Sequence, residues 1–256
     1  MTRTVLDNEL QDLDAQIVKL GQLVDDALGK ALDAMETGNQ ASAGMVIEAD
    51  AIIDSLRAAI EEHTIRLLTL QQPLGGRDLR YLTSAFSIVG DLERIGDGAA
   101  GIAQNILRME PLRSVQLSQV AVHVEADTDT PTSQEHNITE AETVRNMLAL
   151  GNEARRVLQG TMQAFANRDV KAARYIWQED DVVDVRYHLV RHDLMALMEG
   201  ARAIPALQSD SRILQRATYL LWIGHKLERV ADHSSNICER VVFIAEGEMG
   251  MEEPEK

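Results

Sequence analysis

The hexapeptide Leu92-Glu93-Arg94-Ile95-Gly96-Asp97 returns as Leu227-Glu228-Arg229-Val230-Ala231-Asp232, 135 residues later. Each copy sets two carboxylates four residues apart, on one face of any helix that carries them. Like charges stacked this way repel, so an unassisted helix has no reason to choose them. A bound cation or a basic partner removes the penalty. The duplication runs further upstream at an offset of 130. Leu20-Gly21 falls on Leu150-Gly151, Leu28 on Leu158 and Ala34 on Ala164. At the same offset Asp50-Ala-Ile-Ile-Asp54 falls on Asp180-Asp-Val-Val-Asp184. Each half therefore holds an early and a late carboxylate pair, and the chain is expected to fold twice into one kind of unit. The change of offset from 130 to 135 places five extra residues in the second half, around Gly200 to Ser211.

Helical periodicity dominates both halves. Leu6, Leu10, Leu13, Ile17, Leu20, Val24, Leu28 and Leu32 recur at steps of three and four, which predicts a long first helix ending near Thr37-Gly38-Asn39. A second helix is expected from about Ala41 to Leu70, stopping at Gln72-Pro73, and a third from about Asp78 to Met109, closed by Pro111. In the second half the same plan predicts helices from about Ala141 to Ala166, Val170 to Glu199 and Asp210 to Ala245. Residues 111–140 lose periodicity and read as a polar linker. Within it, Val115 to Val124 is apolar enough to pack as a short helix or strand. No segment alternates long enough to be a convincing strand. The fold class expected is all-α: two tandem antiparallel three-helix bundles, residues 1–110 and 141–246, with an acidic tail from 247 to 256.

Composition narrows the function classes. The 256 residues are 45% apolar, enough for a core, and only 4% aromatic. The net charge is −16. That opposes nucleic-acid binding, which needs a basic surface, and unaided adhesion to anionic lipid. It favours cations or basic patches on partner proteins. No apolar h-region opens the chain and no run of 18 apolar residues exists, so neither a signal peptide nor a membrane span is expected. Cys238 is the only cysteine, which excludes an internal disulfide. These features point to the cytoplasm.

A helical wheel sets the acids within the apolar stripe. At about 100° per residue, Glu93 and Asp97 lie roughly 20° and 60° from Leu82, and Glu228 and Asp232 stand the same way to Ala217. Carboxylates on an inward stripe must be paired or bind a metal. The competing reading leaves them in solvent, or paired with Arg94 and Arg229. Oxygen-only ligands suit magnesium, calcium, manganese or iron, and carboxylates from adjacent helices can bridge more than one ion. The Glu-x-x-His signature of di-iron oxidases is absent. Asp184, His188 and His192 follow one edge of a helix, which either adds nitrogen ligands and draws zinc or is a solvated edge. His225 and His233 flank the second motif as neighbours. Cys238 reads as a packed small residue. There is no Gly-rich phosphate loop, no Gly-x-Ser-x-Gly elbow and no nucleophile–base pair.

Taken together, the motifs resemble a known family. Pro73, Asp78-Leu79-Arg80 and Asp91 to Asp97 resemble the first repeat of the PhoU family of bacterial and archaeal phosphate-transport regulators. Asp180 to Asp184, Leu227 to His233 and Asn236-Ile237-Cys238-Glu239 resemble its second repeat. The match spans roughly residues 6 to 246, in order and spacing. It implies two three-helix bundles in tandem. It also implies metal-binding motifs, carried here by Asp50, Asp54, Glu93, Asp97, Asp180, Asp184, Glu228 and Asp232. In the family these hold iron, as multinuclear clusters in some members, or zinc, nickel, manganese or magnesium. The role implied is negative control of phosphate uptake and of the phosphate-starvation response. The partners implied are the transporter ATPase and a membrane sensor histidine kinase, with assembly as a homodimer and membrane association only through partners. Three departures bear on whether the two sites are equivalent: a long polar linker, Lys226 in place of Asp91, and Ala231 in place of Gly96. His225 also stands in an unusual place for the family.

Three readings follow. The first is a non-enzymatic, metal-binding adaptor of phosphate signalling. The second is a carboxylate-bridged metalloenzyme, a hydrolase or oxidase, which would need an open coordination position and a cleft. The third is a helical scaffold with salt-bridged acids.

Overall fold

A computed structural model describes residues 3–70, 74–112, 120–124, 136–205, 207–208, 210–247 and 251. The first half forms α1 (Arg3–Thr37), α2 (Gln40–Leu70) and α3 (Gly76–Met109). The second forms α4 (Glu140–Asn167), α5 (Val170–Gln178), α6 (Asp180–Ala203) and α7 (Ser211–Glu246). The proline turn at Pro73 lies outside the described residues. Side chains cap the starts of α4, α5 and α7: Thr139 accepts from the Glu142 amide, Asp169 from Ala172 and Asp210 from Arg212. Each satisfies one of the orphan amides of a first helical turn. α1 and α4 end at equivalent places, Gly38 and Arg168, both in the left-handed conformation.

The helices stack in layers. α2 packs on α1 and α3, and α6 packs on α4 and α7. Between these outer elements, α3 lies against α7 and α1 against α4. The buried apolar residues of the two halves join in one cluster, from Leu13 and Ile17 through Leu92 and Ile95 to Leu158, Leu227 and Val241.

The contacts between halves obey an internal two-fold relation. A Cβ on Gly21 would stand 2.6 Å from Met162 Cε, and one on Gly151 would overlap Leu32 Cδ2. Gly21 and Gly151 are equivalent at the offset of 130, and so are Leu32 and Met162. The missing Cβ atoms let α1 and α4 approach closely at both crossings. Between them, Arg155 Nε and Nη2 donate to Asp25 Oδ1 and Oδ2 at 2.7 and 3.0 Å.

One expectation is corrected and one is made more specific. The single helix expected from Val170 to Glu199 is two, broken at Glu179. There the Glu179 amide bonds Ile176 O, the Val182 amide bonds Glu179 O, and Arg156 holds the Glu179 carboxylate. The acids Asp180 and Asp181 then occupy the first turn of α6, where the helix dipole favours them. The region expected as polar linker also holds two three-residue strands. These are β1 (Val122–Val124) and β2 (His136–Ile138), paired antiparallel. Nearby Val120 and Ile138 are buried with Leu112, Leu197, Ala201 and Ile213. Strands this short carry no readable alternation. The Asp127-to-Gln134 stretch lies outside the described residues.

Candidate metal centres

In each half the early carboxylate pair is carried by an outer helix and the late pair by a central one. Asp50 and Asp54 lie on α2, facing Glu93 and Asp97 on α3. Asp180 and Asp184 lie on α6, facing Glu228 and Asp232 on α7. Asp54, Glu93 and Asp97 each offer an oxygen within 4.8 Å of the others, and Asp184, Glu228 and Asp232 do the same. The acids sit at the solvent edge of each helix seam rather than deep in the core. Glu93 and Glu228 keep 22% and 20% of their side chains exposed, and Asp54 and Asp97 are exposed.

The remaining acid of each quartet behaves differently. Asp50 and Asp180, equivalent at the offset of 130, are each half-buried with one carboxylate oxygen, Oδ1, buried and without a hydrogen-bond partner. Buried polar atoms are seldom left so, and each calls for an explanation such as an ion. Burial, then the charges of Asp97, Asp54 and Glu93, raise the Asp50 carboxyl. Burial, then Asp232, Asp184, Asp181 and Glu228, push the Asp180 carboxyl up to about 6. Burial and Asp97 raise Glu93; burial and Asp232 raise both Asp184 and Glu228. Desolvated like charges so close cannot all ionise without loss. A hard cation bound by carboxylate oxygens reverses that balance, and the donor set fits one.

The motifs also repeat as whole domains. The family model described as "PhoU domain" matches residues 17–106 and again 147–241. The chain belongs to the PhoU family. A PhoU homolog from Clostridium acetobutylicum, a phosphate-specific transport system accessory protein, is 26% identical over 247 residues. The alignment covers 96% of this chain and 97% of that one. A PhoU homolog of the same description from Streptococcus pneumoniae is 32% identical over 247 residues, covering 96% and 98%. The crystal structure of the phosphate transport system regulatory protein PhoU from Streptococcus pneumoniae superposes with a TM-score of 0.75 at 28% identity. It covers 96% of this chain and 99% of that chain.

Within this PhoU chain the two quartets have different neighbours. Arg57 Nη1 lies 3.9 Å from Glu93 Oε1 in the first. Its equivalent in the second is Tyr187. There His225 Nδ1 stands 2.9 Å from Glu228 Oε2, where the first half has Gly90. The first site thus contains a protein cation and the second a ring nitrogen. His188 is exposed and near enough to Asp184 to lower its carboxyl against the larger effect of burial. His192 lies 3.7 Å from Asp193, and both trios consist of carboxylates alone.

Sequence reasoning placed Asp91 and His233 beside the motifs but did not join them. His233 Nδ1 and Asp91 Oδ1 are 3.0 Å apart, both residues buried between α3 and α7. Arg229 Nη2 stands 3.2 Å from His233 Nε2. Only the pairing of the two halves brings these groups together, so no local pattern could have shown it. Cys238 is buried beside Thr161, and burial pushes its thiol up to about 11. It is a packed, unreactive residue.

Proposed function

We propose that this chain is a cytoplasmic negative regulator of phosphate uptake and of the phosphate-starvation response. In this reading it is a non-enzymatic adaptor whose two carboxylate quartets bind metal ions. The observation that carries the metal assignment is the matched pair of orphaned oxygens, Asp50 Oδ1 and Asp180 Oδ1, each beside three further acids. Asp50, Asp54, Glu93 and Asp97 would hold one centre, and Asp180, Asp184, Glu228 and Asp232 the other. The ions, iron, zinc, manganese or magnesium, would neutralise the clusters and lock α2 to α3 and α6 to α7.

Membership of the PhoU family along nearly the whole chain, with relatives described as phosphate-specific transport system accessory proteins, supports the regulatory role. The net charge of −16 suits basic partner surfaces and opposes nucleic acid. No helix among the described residues is long and apolar enough to cross a membrane, so a membrane location would come through partners. The partners assigned are the ATPase subunit of the phosphate transporter, a phosphate-sensing histidine kinase and a second copy of the chain.

The test is recovery of the tagged chain from its native cell, under phosphate excess and under starvation. The transporter ATPase or the sensor kinase should accompany it, enriched in one condition. Recovery of neither, with the tagged chain still complementing its deletion, contradicts the adaptor role.

A further inference from the structure

The internal two-fold gives the molecule two equivalent cavities where its halves meet, and they are chemically unlike. The smaller, about 120 Å³, lies at the end of α1 and is lined by Gly38, Met109, Val144 and Arg216. The larger, about 240 Å³, lies at the end of α4 and is lined by Arg168, Ile244, Asp14 and Tyr81. These are the same four positions exchanged between halves: Gly38 for Arg168, Met109 for Ile244, Val144 for Asp14 and Arg216 for Tyr81. The larger cavity also takes Arg3, Arg77 and Asp78 from the starts of α1 and α3.

The fold closes around the smaller cavity with a glycine and a valine. The charged set in the larger one is therefore not demanded by the architecture. Arg168 holds φ 53, where its equivalent Gly38 holds φ 68. That conformation suits glycine and strains a long side chain. Non-glycine residues persist there mainly where the surroundings hold them for a purpose. The Arg168 side chain crosses to the first half. Its Nη2 donates to Asp14 Oδ1 and Oδ2 at 2.5 and 2.7 Å, and its guanidinium lies 4.6 Å over the Tyr81 ring. Tyr81, raised by burial and by Asp14, stays protonated and donates to Asp14 Oδ1 at 2.6 Å.

Two arginines that line this cavity keep unused N–H groups. Arg168 Nη1 is buried with no hydrogen-bond partner. Arg77 is exposed and, among the described residues, makes no hydrogen bond or ion pair. In the other cavity Arg216 is closed by the buried Glu140. A planar guanidinium with free N–H groups suits a tetrahedral oxyanion. The lining acids add selectivity. Asp14 and Asp78 hold carboxylate lone pairs beyond those their arginines use, which can accept a proton-bearing oxygen. Hydrogen phosphate has such a P–OH; sulfate at neutral pH has none.

We propose that the cavity between Asp14, Arg77, Tyr81 and Arg168 binds a free tetrahedral oxyanion, namely inorganic phosphate. The choice of phosphate rests on the regulatory reading above. The anion then bridges α1 and α3 of one half to the end of α4 in the other, where its occupancy changes how the halves are clamped.

The test is calorimetric titration of the full chain, stripped of metal and kept in chelator, with inorganic phosphate and then with sulfate. Phosphate should bind saturably and sulfate about tenfold or more weakly. Losing a hydrogen bond to a charged group should weaken binding about tenfold or more, so Arg168→Gly and Arg77→Gln should each show that loss. Glycine suits this backbone position, as Gly38 shows, and Arg77 is exposed, so both variants should keep the fold, which the helical circular dichroism of each checks before titration. Absence of saturable phosphate binding, equal binding of sulfate, binding that needs metal, or unchanged affinity in both variants would each overturn the proposal. The regulatory reading is judged separately by the partners recovered from cells.

Discussion

Asp25 and Arg155 are the same position in the two halves of the chain, 130 residues apart, and they bond each other through two N–H···O contacts. A residue can face its own equivalent only near the axis that relates the halves. The pair thus marks that axis, and the glycine crossings at Gly21 and Gly151 flank it.

Arg155 and Asp25 are partly exposed, at 33% and 20% of their side chains. A bidentate charge-assisted pair in such a place contributes about 1 kcal/mol or somewhat more. Arg155→Ala should lower the urea midpoint accordingly with an unchanged slope. Asp25→Ala added to it should cost less than when made alone, because the partner is already gone.

The close approach of α1 and α4 predicts opposite signs for two glycine substitutions. Gly44→Ala meets nothing within 4 Å and sits inside α2, so it should stabilise by about 1 kcal/mol. Gly151→Ala drives a methyl into Leu32, which is 4% exposed, and should destabilise by about 1–3 kcal/mol. Thermal or urea unfolding of the two variants reads the contrast. Made in a Leu32→Ala background, Gly151→Ala should cost less than it does alone.

The carboxylate quartets predict an inverted acid response in the metal-free chain. Asp50, Glu93, Asp180, Asp184 and Glu228 are all raised on folding, Asp180 to about 6 from 3.8. Over that window the folded state binds more protons than the unfolded one, so these groups make stability fall as pH rises. Their contribution is least unfavourable below about pH 4 and fully unfavourable above about pH 6. Saturating Mn²⁺ at pH 7 should remove the fall, and its affinity should rise across the same window as protons cease to compete. Melting curves from pH 4 to 7, with and without Mn²⁺, measure both. Glu9, Glu179 and Asp210, lowered by their basic partners, act in the opposite sense, so the quartets' share is read against a chain carrying Asp50→Asn and Asp180→Asn; the same pH dependence in both chains would contradict the burial of these acids.

Substituting the orphaned acids separates their cost from their use. In the metal-free chain, Asp50→Asn and Asp180→Asn should leave the melting temperature unchanged or raise it. With Mn²⁺ at about a hundred times its dissociation constant, filling both centres should raise the melting temperature of the unsubstituted chain by roughly 10–20 °C, about half from each. Each variant should lose part of that gain, and the double variant most of it.

Much of this structure was legible because it is written twice. α1 and α4 end at Thr37 and Asn167, and α2 and α5 begin at Gln40 and Val170, both at the offset of 130. α3 and α7 begin at Gly76 and Ser211, at the later offset of 135. The extra residues are divided between the end of α6 and the loop after it. The break at Glu179 was not legible, since the hydrophobic period continues through it. It arises from local amide bonding and from Arg156 pulling on Glu179. The wheel put Glu93 and Asp97 on the inward stripe because α3 buries two faces, one against α1 and α2 and one against α7. The acids sit at the rim between helices, which one helix alone cannot reveal. The contrast of Gly38 with Arg168 was present in the sequence, but it has meaning only once the backbone at both is known to be left-handed.

The most direct test of the account is phosphate uptake by the native cell under phosphate excess. Four strains are compared: one with the gene, one lacking it, one complemented by the unsubstituted chain, and one complemented by a chain carrying Asp50→Asn, Glu93→Gln, Asp180→Asn and Glu228→Gln. Uptake should rise on deletion, return to its low level with the unsubstituted chain, and stay high with the substituted one although it accumulates folded. Unchanged uptake on deletion, or full restoration by the substituted chain, would contradict a regulator that works through its two carboxylate centres.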